Sequence, residues 1–355
     1  MNGNKKAILM AILAAALFGI SAPVSKLLIV DIPPYIMASL LYLGAGAGML
    51  LVNGIGRLTG NRQEEAGLKK KDLPYIIGMI LLDIAAPVLL MLGLARTTSA
   101  NASLLNNFEI VATSLIALLV FKEAVGKRMW LAILLITLSS VLLSFEDFTG
   151  FNFSYGSIFV LLACLCWGFE NNCTRMLSLN NPLQIVVIKG FGSGAGALII
   201  ALALRQQASN LVHILLALLL GFVSYGLSIY FYIKAQRELG AARTSAYYAV
   251  APFIGVFLSI LIFGQALTLS FVLALLIMVL GAYFAAVEHH KHYHVHEEIT
   301  HEHRHSHNDE HHSHGHSLGE SHDESIAEEH SHPHTHKKMG HVHKHTPDMH
   351  HVHSH

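Results

Sequence analysis

Apolar residues in this chain fall into blocks of about 20, the length a helix needs to cross a bilayer, separated by brief polar breaks. Ten stretches meet or approach that length, at about 7–29, 35–56, 73–95, 98–121, 129–145, 155–175, 183–204, 212–233, 244–264 and 268–287. The connections are short, apart from the polar run from Gly56 to Asp72. The pattern predicts an all-α membrane protein with ten transmembrane helices. From Glu288 onward the blocks stop, and too few apolar residues remain to build a core.

The blocks form two sets of five. Ala102 to Glu123 is an apolar helix interrupted by Asn106, Asn107 and Glu109, and its pattern returns 142 positions later from Thr244 to Gln265. Phe18-Gly19 through Lys26 aligns with Trp167-Gly168 through Arg175 at an offset of 149. The division expected is 1–147 and 148–287 as two five-helix repeats, with 288–355 as a tail. A repeat with an odd number of spans places its second copy upside down.

Charge placement agrees with inversion. With the amino terminus inside, the leader and inner loops hold Lys5, Lys6, Arg57, Arg62, Lys69, Lys70, Lys71, Lys122, Lys127, Arg128, Arg175, Lys234, Arg237 and Arg243. The outer loops hold Lys26, Arg96 and Arg205. Lys and Arg favour cytoplasmic loops, so both termini are expected in the cytoplasm of a multi-pass protein of the plasma membrane.

Composition supports the same class. Of 355 residues, 53% are hydrophobic and 13% charged, about half the charge of a soluble domain. The zero net charge averages two regimes, since only His213 among the 26 histidines precedes Glu288. Cys164, Cys166 and Cys173 share one apolar segment, which argues against a secreted-type disulfide framework. Residues 1–30 have the shape of a signal peptide, but a similar segment recurs at Phe159 to Arg175, so the first is read as a retained span.

Two five-helix units, each opening with a Phe/Trp-Gly span and each with a Thr/Ala-Ser-Ala fourth helix ending near Phe-Xaa-Glu/Gln, resemble the EamA-type drug/metabolite transporter superfamily. The resemblance covers roughly residues 7–287 and implies an inverted-repeat bundle around a central substrate cavity, alternating access, and export of small metabolites. The chain departs from the family pattern in places. Glu109-Ile110 stands where Glu-Pro is common, and Pro252 appears at the repeat position. Lys122-Glu123 replaces the common Gly-Glu, with Gly264-Gln265 as its repeat.

Ionisable groups at membrane depth are costly and mark candidate sites. Asp83 lies about 15 Å into span three and Glu109 about 17 Å into span four, both near the midplane. Two carboxylates at that depth could share a proton or a cation; alternatively Asn106, Asn107, Ser103 or Thr113 satisfy them and fix packing. Glu170 and Lys189 lie at matching depth in spans six and seven and predict an ion pair, structural or gating. Glu170 is followed by Asn171 and Asn172, a polar run suited to lining a cavity. Tyr225 takes the repeat position of Asp83, so a midplane ion site is expected to be asymmetric.

The glycine runs at Gly44-Gly48 and Gly190-Gly196 sit inside apolar helices and read as close-packing seams, not phosphate loops. Pro23, Pro87 and Pro252 predict bends, as hinges or static kinks.

The tail is expected to be disordered, yet its histidines alternate: His301, His303, His305, His307; His312, His314, His316; His330, His332, His334, His336; His341, His343, His345. Neutral imidazole suits Zn, Ni and Co, so these residues are the metal candidates; His213 reads as a satisfied interfacial residue. No cofactor is required for transport.

The reading is a secondary transporter, an exporter of a small polar metabolite, ion-coupled because no nucleotide-binding motif is present. The alternatives are a Zn, Ni or Co transporter and a membrane-bound metal sensor. No nucleophile, base and orienting group come together, so an enzyme is not expected. Its partners are the small-molecule substrate, the lipid bilayer and a divalent transition metal, and no nucleic acid.

Overall fold

The computed structural model describes residues 3–58, 67–121, 125–147, 152–177, 180–239, 244, 247–265, 267–287, 290–296, 299–305, 330–336 and 339–345. The body is a bundle of helices. Span one is divided into α1 (Gly3–Gly19) and α2 (Ser21–Leu28), and span two is α3 (Pro34–Leu58). Span three is α4 (Leu73–Leu94), span four is α5 (Ser99–Leu105) with α6 (Phe108–Phe121), and span five is α7 (Lys127–Ser144). A small antiparallel ladder of β1 (Phe145–Asp147) and β2 (Asn152–Phe153) joins the halves. Then come α8 (Tyr155–Leu177) and α9 (Pro182–Ala203). Span eight is α10 (Leu211–Gly221), a π-helical segment Phe222–Leu227, and α11 (Ser228–Leu239). The last two are α12 (Ala251–Phe263) and α13 (Leu269–Ala286).

Among the described residues, nine helical segments are long and apolar enough to cross a membrane, and α12 is a shorter apolar helix. The ninth predicted span, 244–264, therefore differs in form. Its continuous helix begins only at Ala251, after a turn at Ala249-Val250, with Pro252 in its first turn. Proline is at home there, because the first N–H groups of a helix have no intrahelical acceptor.

Spans one and four are interrupted in the middle, each for a local reason. The ring of Pro23 opposes the carbonyl of Gly19, and α1 stops there. Asn106-Asn107 form a turn between α5 and α6, where amide side chains compete with the helical ladder. The fourth span and its repeat thus break at nearly equivalent positions. Pro87, in contrast, is carried inside an unbroken α4.

The helix pairings reveal the symmetry. Span one packs on span eight as span six packs on span three, and span nine meets span one as span four meets span six. Spans two and seven, four and nine, and five and ten pair with their own repeats. Exchange of the halves maps each of these contacts onto another or onto itself, as an inverted duplication requires.

The predicted glycine runs line the α3–α9 seam and its neighbours. A Cβ on Gly190 would lie 2.4 Å from the backbone nitrogen of Gly46 across that seam, and one on Gly44 would lie 2.1 Å from the carbonyl oxygen of Leu218 on α10. Only glycine permits such approach. Serine hydroxyls add interhelical bonds: Ser39 to Gly194 O at 2.8 Å, Ser139 to Ala274 O at 2.7 Å, and Ser224 and Ser228 to Leu17 O and Ala14 O at 2.7 and 2.8 Å. Outward faces carry Leu119, Leu134, Leu215, Leu261 and Leu276, apolar surface suited to lipid.

In the tail four stretches are described as strands. β3 (His290–His296) pairs antiparallel with β6 (Met339–His345), and β4 (Ile299–His305) with β5 (His330–His336). The alternation of histidine has the two-residue period of a strand.

Candidate functional site

Four helices deliver one buried polar cluster. Lys189 of α9 places Nζ 3.0 Å from Asp83 Oδ2 of α4 and 2.9 Å from Glu170 Oε1 of α8. All three side chains are buried, Asp83 completely. Tyr42 of α3 donates its hydroxyl to Asp83 Oδ1 at 2.8 Å. Asp83 Oδ2 meets the ammonium at ion-pair distance and has no further hydrogen-bond partner among the described residues. Thr174, one turn further along α8, donates to Glu170 Oε1. Pro87 stands four residues after Asp83, so the carbonyl of Asp83 lacks its usual helical donor.

A second polar group adjoins the first along α8. Asn171 Nδ2 donates to Glu109 Oε1 at 2.6 Å and to Thr113 Oγ1 at 3.2 Å. Glu109 lies in the first turn of α6, at the positive end of its dipole. Asn172 faces elsewhere, donating to Gly168 O at 2.8 Å and Thr113 O at 3.3 Å. Asn106 and Asn107 are buried at the α5–α6 turn; Asn107 Nδ2 donates to Leu104 O at 3.3 Å, and its Oδ1 has no partner.

Tyr225 occupies the π-helical segment and is 2% exposed, within the polar centre. Ser21 donates to its hydroxyl at 3.1 Å, and its ring lies 5.3 Å from that of Tyr42 and 5.8 Å from that of Phe18. Between the helix breaks lies a small void of about 10 Å³ measured over water centres, bordered by Gly19, Ser21, Asn106 and Pro252, with room for about one water. A wider recess of about 440 Å³ opens at the bundle end away from the α1 amino terminus, lined by Lys26, Arg96, Thr98, Asn101 and Ser154.

The predicted residues are therefore assembled with one change of partner. The Glu170–Lys189 pair expected from matching depth is present. Asp83 does not meet Glu109: its nearest carboxylate neighbour is Glu170, across the Lys189 ammonium, and Glu109 is held by Asn171. Helix rotation, which depth does not report, decides this. Tyr42, Thr174 and Ser21 were missed, although a tyrosine two residues before a glycine run was a usable signal in span two.

His213 Nδ1 lies 2.7 Å from Asp31 Oδ2, a surface partner for the interfacial residue expected there. Among the residues with described side chains, no group of three or more His, Cys, Asp or Glu is placed to hold a metal. His307, His312, His314 and His316 lie outside the described residues; the remaining candidate histidines lie on β4, β5 and β6.

A twice-used helical unit, crossing a bilayer many times and burying charge at its centre, defines a multi-pass membrane protein of the transporter class. The EamA-like transporter family matches residues 5–145 and again 154–287, so the chain belongs to that family. It is 26% identical over 288 residues to an uncharacterized transporter of Methanothermobacter thermautotrophicus (strain ATCC 29096 / DSM 1053 / JCM 10044 / NBRC 100330 / Delta H), covering 77% of this chain and 83% of the relative. It is 20% identical over 232 residues to the uncharacterized transporter YyaM of Bacillus subtilis (strain 168), covering 63% of this chain and 76% of that one. A solved crystal structure shares the fold at a TM-score of 0.58 and 16% identity, covering 79% of this chain and 95% of its own.

Proposed function

We propose that this transporter exports a small polar metabolite across the plasma membrane by ion-coupled alternating access, with both termini cytoplasmic and a metal-binding tail. The observation that carries the reading is the Lys189 bridge, which ties α9 to α4 and α8 through two carboxylates at the closed centre of the bundle. Asp83 belongs to the first repeat, and Glu170 and Lys189 to the second, so relative movement of the repeats must stretch or exchange these bonds. Three carboxylates, Asp83, Glu109 and Glu170, accompany a single ammonium in this region, and a proton or small cation must offset the excess negative charge in so dry a place.

Export is the direction the family resemblance implies. A polar solute bearing an amino or hydroxyl group can replace Lys189 or Tyr42 on the carboxylates as the centre opens. A divalent transition metal fits less well, because the ammonium already occupies the space between Asp83 and Glu170, and oxygen ligands suit Zn, Ni and Co less than imidazole does. The test is flux in reconstituted vesicles, scoring amino acids and other metabolites beside Zn, Ni and Co with and without an imposed proton gradient. Metabolite flux that follows the gradient supports the proposal. Flux of metals alone overturns it in favour of metal transport, and no flux of any solute favours a sensor.

A further inference from the structure

Three helix ends meet at one point in the bundle. α1 stops at Gly19, α5 gives way to the Asn106-Asn107 turn, and α12 starts at Ala251. Between them lies the void of about 10 Å³, bordered also by Ser21, Ser103 and Gly255. A Cβ on Gly255 would lie 2.7 Å from Ser103 Oγ and 3.0 Å from Gly19 O, so both oxygens converge on one spot. A Cβ on Gly19 would lie 2.7 Å from Ala251 O. Glycine at these two places leaves room between the oxygens.

These oxygens are short of donors. Ser103 is 2% exposed, and its hydroxyl has no hydrogen-bond partner among the described residues. Pro23 has no N–H, so Gly19 O lacks its usual helical donor. The second repeat treats the equivalent carbonyl differently. Asn172 stands at the repeat position of Pro23, and its Nδ2 donates to Gly168 O, the counterpart of Gly19 O, at 2.8 Å within an unbroken α8. Ser21 donates its proton to Tyr225, so lone pairs remain on its Oγ. Asn106 Oδ1 has a weak contact with Cys164 Sγ, at 4.0 Å. Pro252 removes an N–H from the first turn of α12, where a helix otherwise offers donors to an anion. The lining is rich in lone pairs and poor in donors, and buried acceptors left unpaired cost free energy.

We propose that this junction binds one dehydrated sodium ion, held by Gly19 O, Ser21 Oγ, Ser103 Oγ and Asn106 Oδ1. The void admits one particle of about water size, which fits a bare ion and not a hydrated one. Unwound carbonyls and the C-terminal ends of half-helices are the groups that hold such ions in transporters built from inverted repeats, and α1 and α5 both end here. The site occurs once per chain, because Asn172 closes its counterpart. The inference rests on the ion-coupled reading for its part in flux, and names the ion and its place.

The experiment uses the full-length protein in detergent micelles. Binding of radiolabelled sodium is measured, and thermal unfolding is followed in sodium, potassium or choline chloride at constant ionic strength. Three variants accompany the parent. Ser103→Ala removes a hydroxyl with no described protein bond, so its melting in choline is expected to match the parent's. Ser140→Ala removes an equally buried, equally unpartnered hydroxyl in α7, away from the void. Asp83→Asn alters the ionic cluster.

The expected result is saturable sodium binding, and a melting temperature that rises with sodium, as for any ligand held by the folded state alone. Ser103→Ala weakens binding by at least about tenfold, the least that losing a supporting partner costs a metal site. Ser140→Ala leaves it unchanged. Equal melting in all three salts with no bound sodium would mean that the void holds water only, and would overturn the site. Binding that survives Ser103→Ala but is lost in Asp83→Asn would overturn it in favour of the ionic cluster. Sodium binding with no solute flux in vesicles would support the site and sink the transport reading, while proton-driven flux without sodium binding would do the reverse.

Discussion

Set side by side, the two flanks of the pseudo-symmetric bundle share their helix contacts and differ in charge. By the offsets of the internal repeat, Ser21 is the counterpart of Glu170 and Tyr225 the counterpart of Asp83. On one flank span three faces span six through Asp83 and Glu170, joined by Lys189. On the other, span eight faces span one through Tyr225 and Ser21, joined by a neutral 3.1 Å hydrogen bond. Tyr42 touches both, bonding to Asp83 and stacking near Tyr225. The duplicated frame has kept its helix contacts and placed ionic chemistry on one side. A neutral pair can hold two helices together through a cycle of movement, whereas a charged pair responds to protons, cations and cargo.

The strongest way to break this comparison is to leave the charged flank unbalanced. Lys189→Met strands Asp83 and Glu170 in a buried site, and is expected to cost about 3–5 kcal/mol of stability and abolish transport. The triple variant with Asp83→Asn and Glu170→Gln added should recover much of the thermal stability in detergent but none of the flux. Recovery of both would show that the charges serve packing alone.

Overpacking of the glycine seam comes next. Gly190→Ala drives a methyl into the Gly46 backbone and is expected to cost about 1–3 kcal/mol, read as a lower melting temperature and reduced yield. It acts on both flanks equally, since α3 and α9 pair across the symmetry axis.

Glu109→Gln sharpens the comparison without disturbing the frame. The glutamine carbonyl can still accept from Asn171, so solute counterflow is expected to persist while the response of flux to a proton gradient falls. Unchanged coupling would move the ionic role wholly to Asp83 and Glu170. The smallest effect is expected on the neutral flank: Tyr225→Phe removes the acceptor of Ser21, about 1 kcal/mol, with flux close to the parent's. A loss of flux as large as that of Lys189→Met would refute the division of labour.

The chain of residues by itself determined the membrane class, the number of apolar blocks, their duplication, the glycine seam and the depth of each ionisable side chain. Those follow from transfer free energies and from a fixed rise per residue, which are local quantities. Tertiary structure decided rotation and partnership: that Asp83 turns toward Lys189 and Tyr42 and not toward Glu109, that α1 and α2 separate before Pro23 while α4 runs through Pro87, and that span eight widens into a π-helix around Tyr225. Depth fixes how far a side chain lies along a helix, but its azimuth is set by which neighbours fill the grooves beside it. The tail shows the same division, since alternation of histidine is written in the sequence and the opposition of His292 to His343 is a property of the paired strands.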